Sequence, residues 1–262
     1  RKLVHLNDGQ VFITTHSSNI LVELEAKNIF LKSTDSEQLY SFDEEFQGCI
    51  RNNPEAFFAK RILICEGATE VGICRALNKY RIGNGESNLE LLGISLVDGT
   101  GRNMTNYCHK FKEAGFDVCL FCDSDDKSVN AEKDSLRSKE ITIVNCDSDY
   151  AIEQQIFKDF AWSNIIQLIQ YAIEDRDQES VFAQLGITDL DGLSDSEENR
   201  TKLGQVASNK DSHNADKKKD KAWFKRIDHG EFIGTIWFNS LSELKDKTLN
   251  AEYNNLTEWI DK

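Results

Sequence analysis

The residues best placed to do chemistry are acids that directly follow apolar runs. Val118, Cys119, Leu120, Phe121 and Cys122 form a short apolar run that ends in Asp123, Asp125 and Asp126. A run of that length, bounded by polar residues, reads as a buried strand. Acids at the carboxyl end of such a strand stand where open α/β sheets hold their ligands. Carboxylates this close raise one another's pKa unless a cation is present, and hard oxygen donors suit Mg²⁺ or Mn²⁺. Taken alone, an Asp-x-Asp is equally well a solvated acidic turn. The stretch 61–77 changes that balance. Ile62, Leu63, Ile64 and Cys65 form another buried-strand run with Glu66 at its end. Gly67 allows a tight turn, and Thr69 is expected to cap a helix starting near Glu70. Val71, Cys74, Ala76 and Leu77 are spaced to form the apolar face of that helix. Glu66 and Glu70 can then face the same crevice as Asp123. Either glutamate alone would be a capping or surface acid; the paired pattern points to metal chemistry.

These acids need a scaffold, and the surrounding chain predicts one. Strands are expected at 61–65, 89–97, 117–122 and 141–146, with helices at 68–80, 104–114 and 128–136 between them. This β-α-β alternation predicts an α/β fold with a largely parallel sheet flanked by helices. Beyond it, 162–174 reads as a packing helix with Ile165, Ile166, Ile169 and Ile173 on one side. Segment 175–214 is polar and acidic and is expected to be an insertion or mobile loop. Order is expected to return at 222–237, and Leu241, Leu244, Leu249, Tyr253, Leu256 and Trp259 have the spacing of a closing core helix. Before the acids, 11–14 reads as a strand, followed by His16 and a helix start that Ser17, Ser18 or Asn19 could cap. Two short strands lie within 27–42, and Pro54 opens an expected helix near a domain boundary.

The motif pair resembles the Toprim domain, and most closely that of the OLD (overcoming lysogenization defect) nucleases. Glu66–Gly67–Ala68–Thr69–Glu70 is similar to the first Toprim motif, Asp123–Ser124–Asp125 to the second, and 99–111 to the link between them. The resemblance covers roughly residues 61–225. It implies a Toprim-like fold with a C-terminal helical extension. It also implies metal-assisted DNA cleavage at Glu66, Glu70, Asp123, Asp125 and Glu153, with two ions about 4 Å apart. Glu153 sits in the Ile-Glu context that opens a helix in OLD-type domains; Asp147 and Asp149 are alternates. Lys225, in a Trp-Phe-Lys context, matches the late lysine that completes such sites, with Lys221 as runner-up. Glu66, Asp123 and Lys225 are thus the expected catalytic residues, and Lys221, Lys225 and Arg226 the expected DNA contacts. The string around His16 resembles the last strand and switch histidine of ABC-type ATPases, which implies ATP near His16. No GxxxxGK[ST] occurs in the chain, so ATP hydrolysis is expected only with an upstream part of a longer protein. The expected organisation is 1–59, the end of an ATPase domain; 60–160, a Toprim core; and 161–262, a helical part completing it. The OLD arrangement further implies anti-phage defence, nucleotide control, a homo-oligomer formed through the ATPase part, and room for a second defence protein.

Composition bounds these readings. At 262 residues and 39% hydrophobic, the chain can bury a substantial core. It has no apolar run near 18 residues, so no membrane span is expected. Seven cysteines, mostly inside apolar runs, are expected to be reduced core thiols of a cytoplasmic protein. Cys119 and Cys122, three apart, fall on opposite faces of a strand and are poor joint ligands. A net charge of −14 is awkward for DNA binding, although 217–226 packs six basic residues into ten. A non-catalytic Toprim used for assembly is the alternative function; both glutamates and both aspartates being present argues against it. A receiver-like phosphoacceptor domain is disfavoured by the order of the motifs. Tyr107 and Tyr150 have no context that would make either a nucleophile.

Overall fold

The computed structural model describes residues 10–32, 38–101, 103–209 and 222–262. The chain divides into two compact units, Arg1–Phe58 and Ala59–Lys262.

In the first unit, β1 (Phe30–Lys32) and β2 (Leu39–Ser41) pair antiparallel, as the two short apolar runs predict. Short helices α1 (Ser18–Leu21) and α2 (Gln47–Asn52) accompany them. Phe42, Phe46 and Phe57 make the core, with the Phe42 ring 5.1 Å from each of the other two. Two expectations fail here. Residues 11–14 form no strand, and Val11, Phe12 and Ile13 are 54%, 86% and 65% exposed. A strand takes its hydrogen bonds from a neighbour, and among the described residues none pairs with this run. The segment opened by Pro54 is a five-residue 3₁₀ helix, Pro54–Phe58, because the short stretch before the next strand at Arg61 leaves room only for a short tight helix.

The second unit begins with β3 (Arg61–Cys65), α3 (Ala68–Gly83), β4 (Ile94–Asp98), α4 (Met104–Glu113), β5 (Asp117–Cys122), α5 (Lys127–Ser138) and β6 (Thr142–Asn145). All three ladders are parallel, and the strand order is β4-β3-β5-β6. The chain steps from β3 outward to β4, then returns to the other side of β3 for β5. That reversal leaves a crevice at the carboxyl ends of β3 and β5, the usual ligand position in open α/β sheets. The register Cys65↔Phe121 sets those two ends level. Ile62 to Cys65 and Val118 to Cys122 are at most 1% exposed, so both sheet faces are covered, as unbroken apolar runs predict. β4 starts later than its apolar run, at Ile94. Gly93, at φ 73°, turns the chain there, and its carbonyl accepts from the Lys60 and Arg61 N–H groups.

After the sheet come α6 (Ile152–Asp159), α7 (Trp162–Arg176), α8 (Gln178–Leu185), α9 (Glu197–Ser208), α10 (Ile227–Asn239) and α11 (Thr248–Ile260). The expected mobile loop is corrected by α8 and α9. Val181 and Leu185 on α8, and Leu203 and Ala207 on α9, are fully buried and four residues apart. The sparse apolar residues therefore form a stripe on each helix, and the acids are the solvated faces. The rest of that segment, 210–214, lies outside the described residues. Sheet, α3 and these helices share one core that includes Leu63, Phe121, Phe157, Trp223, Trp237 and Trp259. All seven cysteines are buried and free. Among the described residues, no helix is long and apolar enough to cross a membrane.

Candidate metal centre

Level strand ends bring the two acidic motifs together. The Glu66 N–H, just past β3, donates to the Phe121 carbonyl on β5 at 2.9 Å. The Asp123 N–H in turn donates to Glu66 Oε2 at 2.8 Å. Oxygens of Glu66, Asp123 and Asp125 lie within 4.8 Å of one another. Three hard donors at that separation match Mg²⁺ or Mn²⁺, and their mutual repulsion calls for a cation. The residues present therefore fit a divalent ion. Asp126, the remaining acid of the run, caps α5 instead, accepting from the Ser128 N–H at 2.7 Å.

Glu70 and Glu153 are brought to the same end of the sheet but stand outside that three-residue group, more deeply buried at 4% and 0% exposure. Glu70 is the third residue of α3 and reaches back so that Oε2 accepts from the Gly67 N–H at 3.0 Å. Gly67, not Thr69, is thus the N-cap. Thr69 lies inside the first turn, and its hydroxyl donates to the Phe224 carbonyl at 2.6 Å. Glu153 opens α6, and the neighbouring Ile152 N–H donates to Asp123 Oδ1 at 2.7 Å. The α6 N-terminus therefore holds Asp123 in place, as the helix dipole favours.

Lys225 enters from the segment before α10, and its Nζ lies 2.6 Å from Glu153 Oε1. Burial by itself would lower this ammonium's pKa; the carboxylates around it, Glu153 first and then Asp123, outweigh that and raise it. The acids respond in the opposite sense. Burial, then the Glu66 charge, pushes Glu70 up to about 8. Burial also pushes Glu66 up to about 6, against the stabilising Asp123 N–H. Asp123 is raised by burial and by Glu70, Glu66 and Glu153.

Arg226 is engaged by Asp175 at 2.8 Å and Asp228 at 2.7 Å. Lys221 lies outside the described residues. Asp147, the alternate for Glu153, pairs with Lys158 at 2.7 Å and accepts from the Thr248 hydroxyl. Asp149 sits in the turn after β6 with φ 65°. His16 belongs to the first unit, where its ring is 6.1 Å from that of Phe58.

Sequence reasoning missed the support beneath the site. Lys133 on α5 is 6% exposed, and its Nζ donates to the Asp123 carbonyl at 3.1 Å and to Ser124 Oγ at 3.2 Å. Ser124 is a hub: its hydroxyl donates to the Cys146 carbonyl, its N–H to the Tyr150 carbonyl, and its carbonyl accepts from Asn130 Nδ2. One signal was available. Lys133 occupies the position between Val129 and Leu136 on the buried stripe of α5, where an apolar residue is the rule.

Residues 57–125 match the family model "Overcoming lysogenization defect protein-like, TOPRIM domain". That span holds β3, β4, β5 and the acids from Glu66 to Asp125. The chain therefore carries an OLD-like Toprim domain, built on a four-stranded parallel sheet flanked by helices. Among solved structures, the C-terminal region of the Burkholderia pseudomallei OLD protein matches with 18% identity over 78% of this chain and 98% of that one, at a TM-score of 0.40. No curated protein matches the chain.

Proposed function

We propose that this chain is a metal-dependent DNA endonuclease or nickase of the OLD Toprim type. The observation that carries this reading is the convergence of Glu66, Asp123 and Asp125, with Lys225 and Glu153 beside them, at the switch point of the sheet. Glu66, Asp123 and Asp125 would hold Mg²⁺ or Mn²⁺, which when bound lowers the pKa of water and stabilises a leaving oxygen. Around it, the α6 N-terminus and Lys133 fix Asp123, and Glu70 and Glu153 shape the field. Lys225 would neutralise charge that builds on a phosphate in the transition state. ATP control through an upstream part near His16, DNA contacts by Lys221 and Arg226, assembly into a homo-oligomer, a second defence protein and a role against phage all belong to this same reading.

Supercoiled plasmid incubated with Mg²⁺ or Mn²⁺ tests it. Nicked or linear product is expected from the parent chain, and none from Glu66→Ala or after chelation. Equal cleavage by parent and Glu66→Ala would falsify the assignment. The net charge of −14 favours the second reading, a Toprim kept for assembly. That reading is upheld if plasmid stays intact with every metal even when the upstream ATPase part is present.

A further inference from the structure

Residues 222–226, which carry Lys225, lie outside any helix or strand. A lysine ends in a point charge on a flexible four-carbon stem, so its ammonium reaches a fixed place only if its backbone is held. On both sides of Lys225 the chain is held by other helices. The Ala222 carbonyl accepts from Arg176 Nη2 at the end of α7. The Trp223 backbone N–H donates to the Ala207 carbonyl on α9 at 2.8 Å, and its indole Nε1–H to Gln184 Oε1 on α8 at 2.7 Å. The Phe224 carbonyl accepts from the Thr69 hydroxyl on α3. Beyond Lys225, two side chains converge on Asp175 of α7: Arg226 Nη2 lies 2.8 Å from Oδ1, and His229 Nε2 3.4 Å from Oδ2. The same helices reach the other side of the site. Helix α9 lies so close to α6 that a Cβ added at Gly204 would be 2.9 Å from the Gln154 Cα, next to Glu153. The acid-rich stretch that forms α8 and α9 thus links the helix whose N-terminus holds Asp123 to the segment that carries Lys225.

We propose that α7, α8 and α9 form the mount that sets Lys225 at the acids, with Asp175 and Gln184 as positioning residues for the cleavage step. The inference rests on the metal-dependent nuclease reading above and gives the acid-rich segment a place in it. It does not depend on which anion the ammonium faces, because the ties are made by the residues around Lys225 and not by its own side chain. Without Gln184 the buried Trp223 loses the acceptor of its indole N–H and must shift to find another, two residues from Lys225. Without Asp175, Arg226 and His229 lose the carboxylate that draws them together at the start of α10. A misplacement of about 1 Å at a group that must meet the reacting atoms costs on the order of 10²-fold in rate.

Three measurements on the whole chain test this: single-turnover nicking of plasmid at saturating DNA, Mn²⁺ affinity by calorimetry, and acetylation of each lysine by an N-hydroxysuccinimide ester, read by mass spectrometry. Gln184→Ala and Asp175→Ala are expected to slow nicking by about tenfold or more, with Mn²⁺ affinity unchanged. Both should raise the acetylation rate of Lys225 several-fold and leave Lys139 and Lys158 at the parent rate. Gln184→Glu keeps an acceptor for the indole N–H and is expected to restore nicking. Parent nicking rates in both alanine variants, an unchanged acetylation rate at Lys225, or a Mn²⁺ affinity that falls along with the rate overturns the proposal. A parent that nicks and is matched by both alanine variants sinks this inference alone; a parent that neither nicks nor binds Mn²⁺ sinks the nuclease reading with it.

Discussion

Gly72 on α3 and Gly230 on α10 touch backbone to backbone: a Cβ added at Gly72 would lie 2.7 Å from the Gly230 Cα, and one added at Gly230 2.9 Å from the Gly72 Cα. Gly234 approaches Ala76 one turn further along the same crossing. This contact carries functional weight because α3 bears Glu70 and α10 follows directly after Lys225. The crossing is therefore expected to govern how far the ammonium reaches toward the acids. Gly230→Ala should force the helices apart, costing about 1–3 kcal/mol. It should also weaken plasmid cleavage more than that stability loss explains. Thermal unfolding and nicking rate measured on one sample check this; unchanged cleavage by a destabilised variant would show that the crossing serves the core alone.

Lys133 should matter to the site through its hold on Asp123 and Ser124. Lys133→Met removes the donor to the Asp123 carbonyl and Ser124 Oγ. Ser124 Oγ keeps its donor from Asn145 Nδ2, so the Asp123 carbonyl is the acceptor left without one, at a cost of about 1–3 kcal/mol. Looser placement of Asp123 should also weaken Mn²⁺ binding. A variant that binds Mn²⁺ as tightly as the parent would limit Lys133 to a stabilising role.

Stability should depend on pH through Glu252 on α11. Burial, then the neighbouring Asp159, pushes its carboxyl from 4.5 up to about 8. The folded state therefore holds the proton more tightly than the unfolded chain does. The stability this contributes is fully present below about 4.5 and is lost as pH rises through about 8. The slope from this one group is on the order of 1 kcal/mol per pH unit within that window. Glu252→Gln should remove that share of the slope and leave the share of Glu70, which is pushed up to about 8 as well, and urea midpoints at about pH 6 and about pH 9 measure the difference. Parallel pH profiles for parent and variant would remove Glu252 as the cause.

Helices α8 and α9 should resist proteolysis as part of the second unit. Arg200 Nη1 on α9 donates to the carbonyls of Phe157, Lys158 and Phe160 at the end of α6, at 3.1, 3.1 and 2.8 Å. Arg200→Ala should cost about 1–3 kcal/mol by leaving those carbonyls unpaired. It should also expose 178–208 to trypsin, read by mass spectrometry. Rapid cutting there in the parent would restore the mobile-loop reading.

The failures of sequence reading share one cause. Segment 175–214 looked featureless because Val181 and Leu185 on one helix, and Leu203 and Ala207 on the other, are too few to dominate its composition, yet four-residue spacing makes each pair a stripe. The run 11–14 looked like a strand because its residues favour one, but pairing is supplied by a neighbour. Thr69 looked like a cap because its type favours that position, whereas its hydroxyl bonds a carbonyl far along the chain.

What the sequence determined by itself was local: apolar runs of strand length, the acids that end them, and an alternation with helices that implies parallel pairing. Those features place Glu66 and Asp123 at the ends of β3 and β5, because run length and periodicity are properties of neighbouring residues. Only the tertiary structure decided that Lys225 meets Glu153, that Lys133 lies beneath Asp123, and that Gly72 and Gly230 let two helices touch. Each of these depends on which helix faces come together, and that choice is made by the packing of the whole core rather than by any one segment.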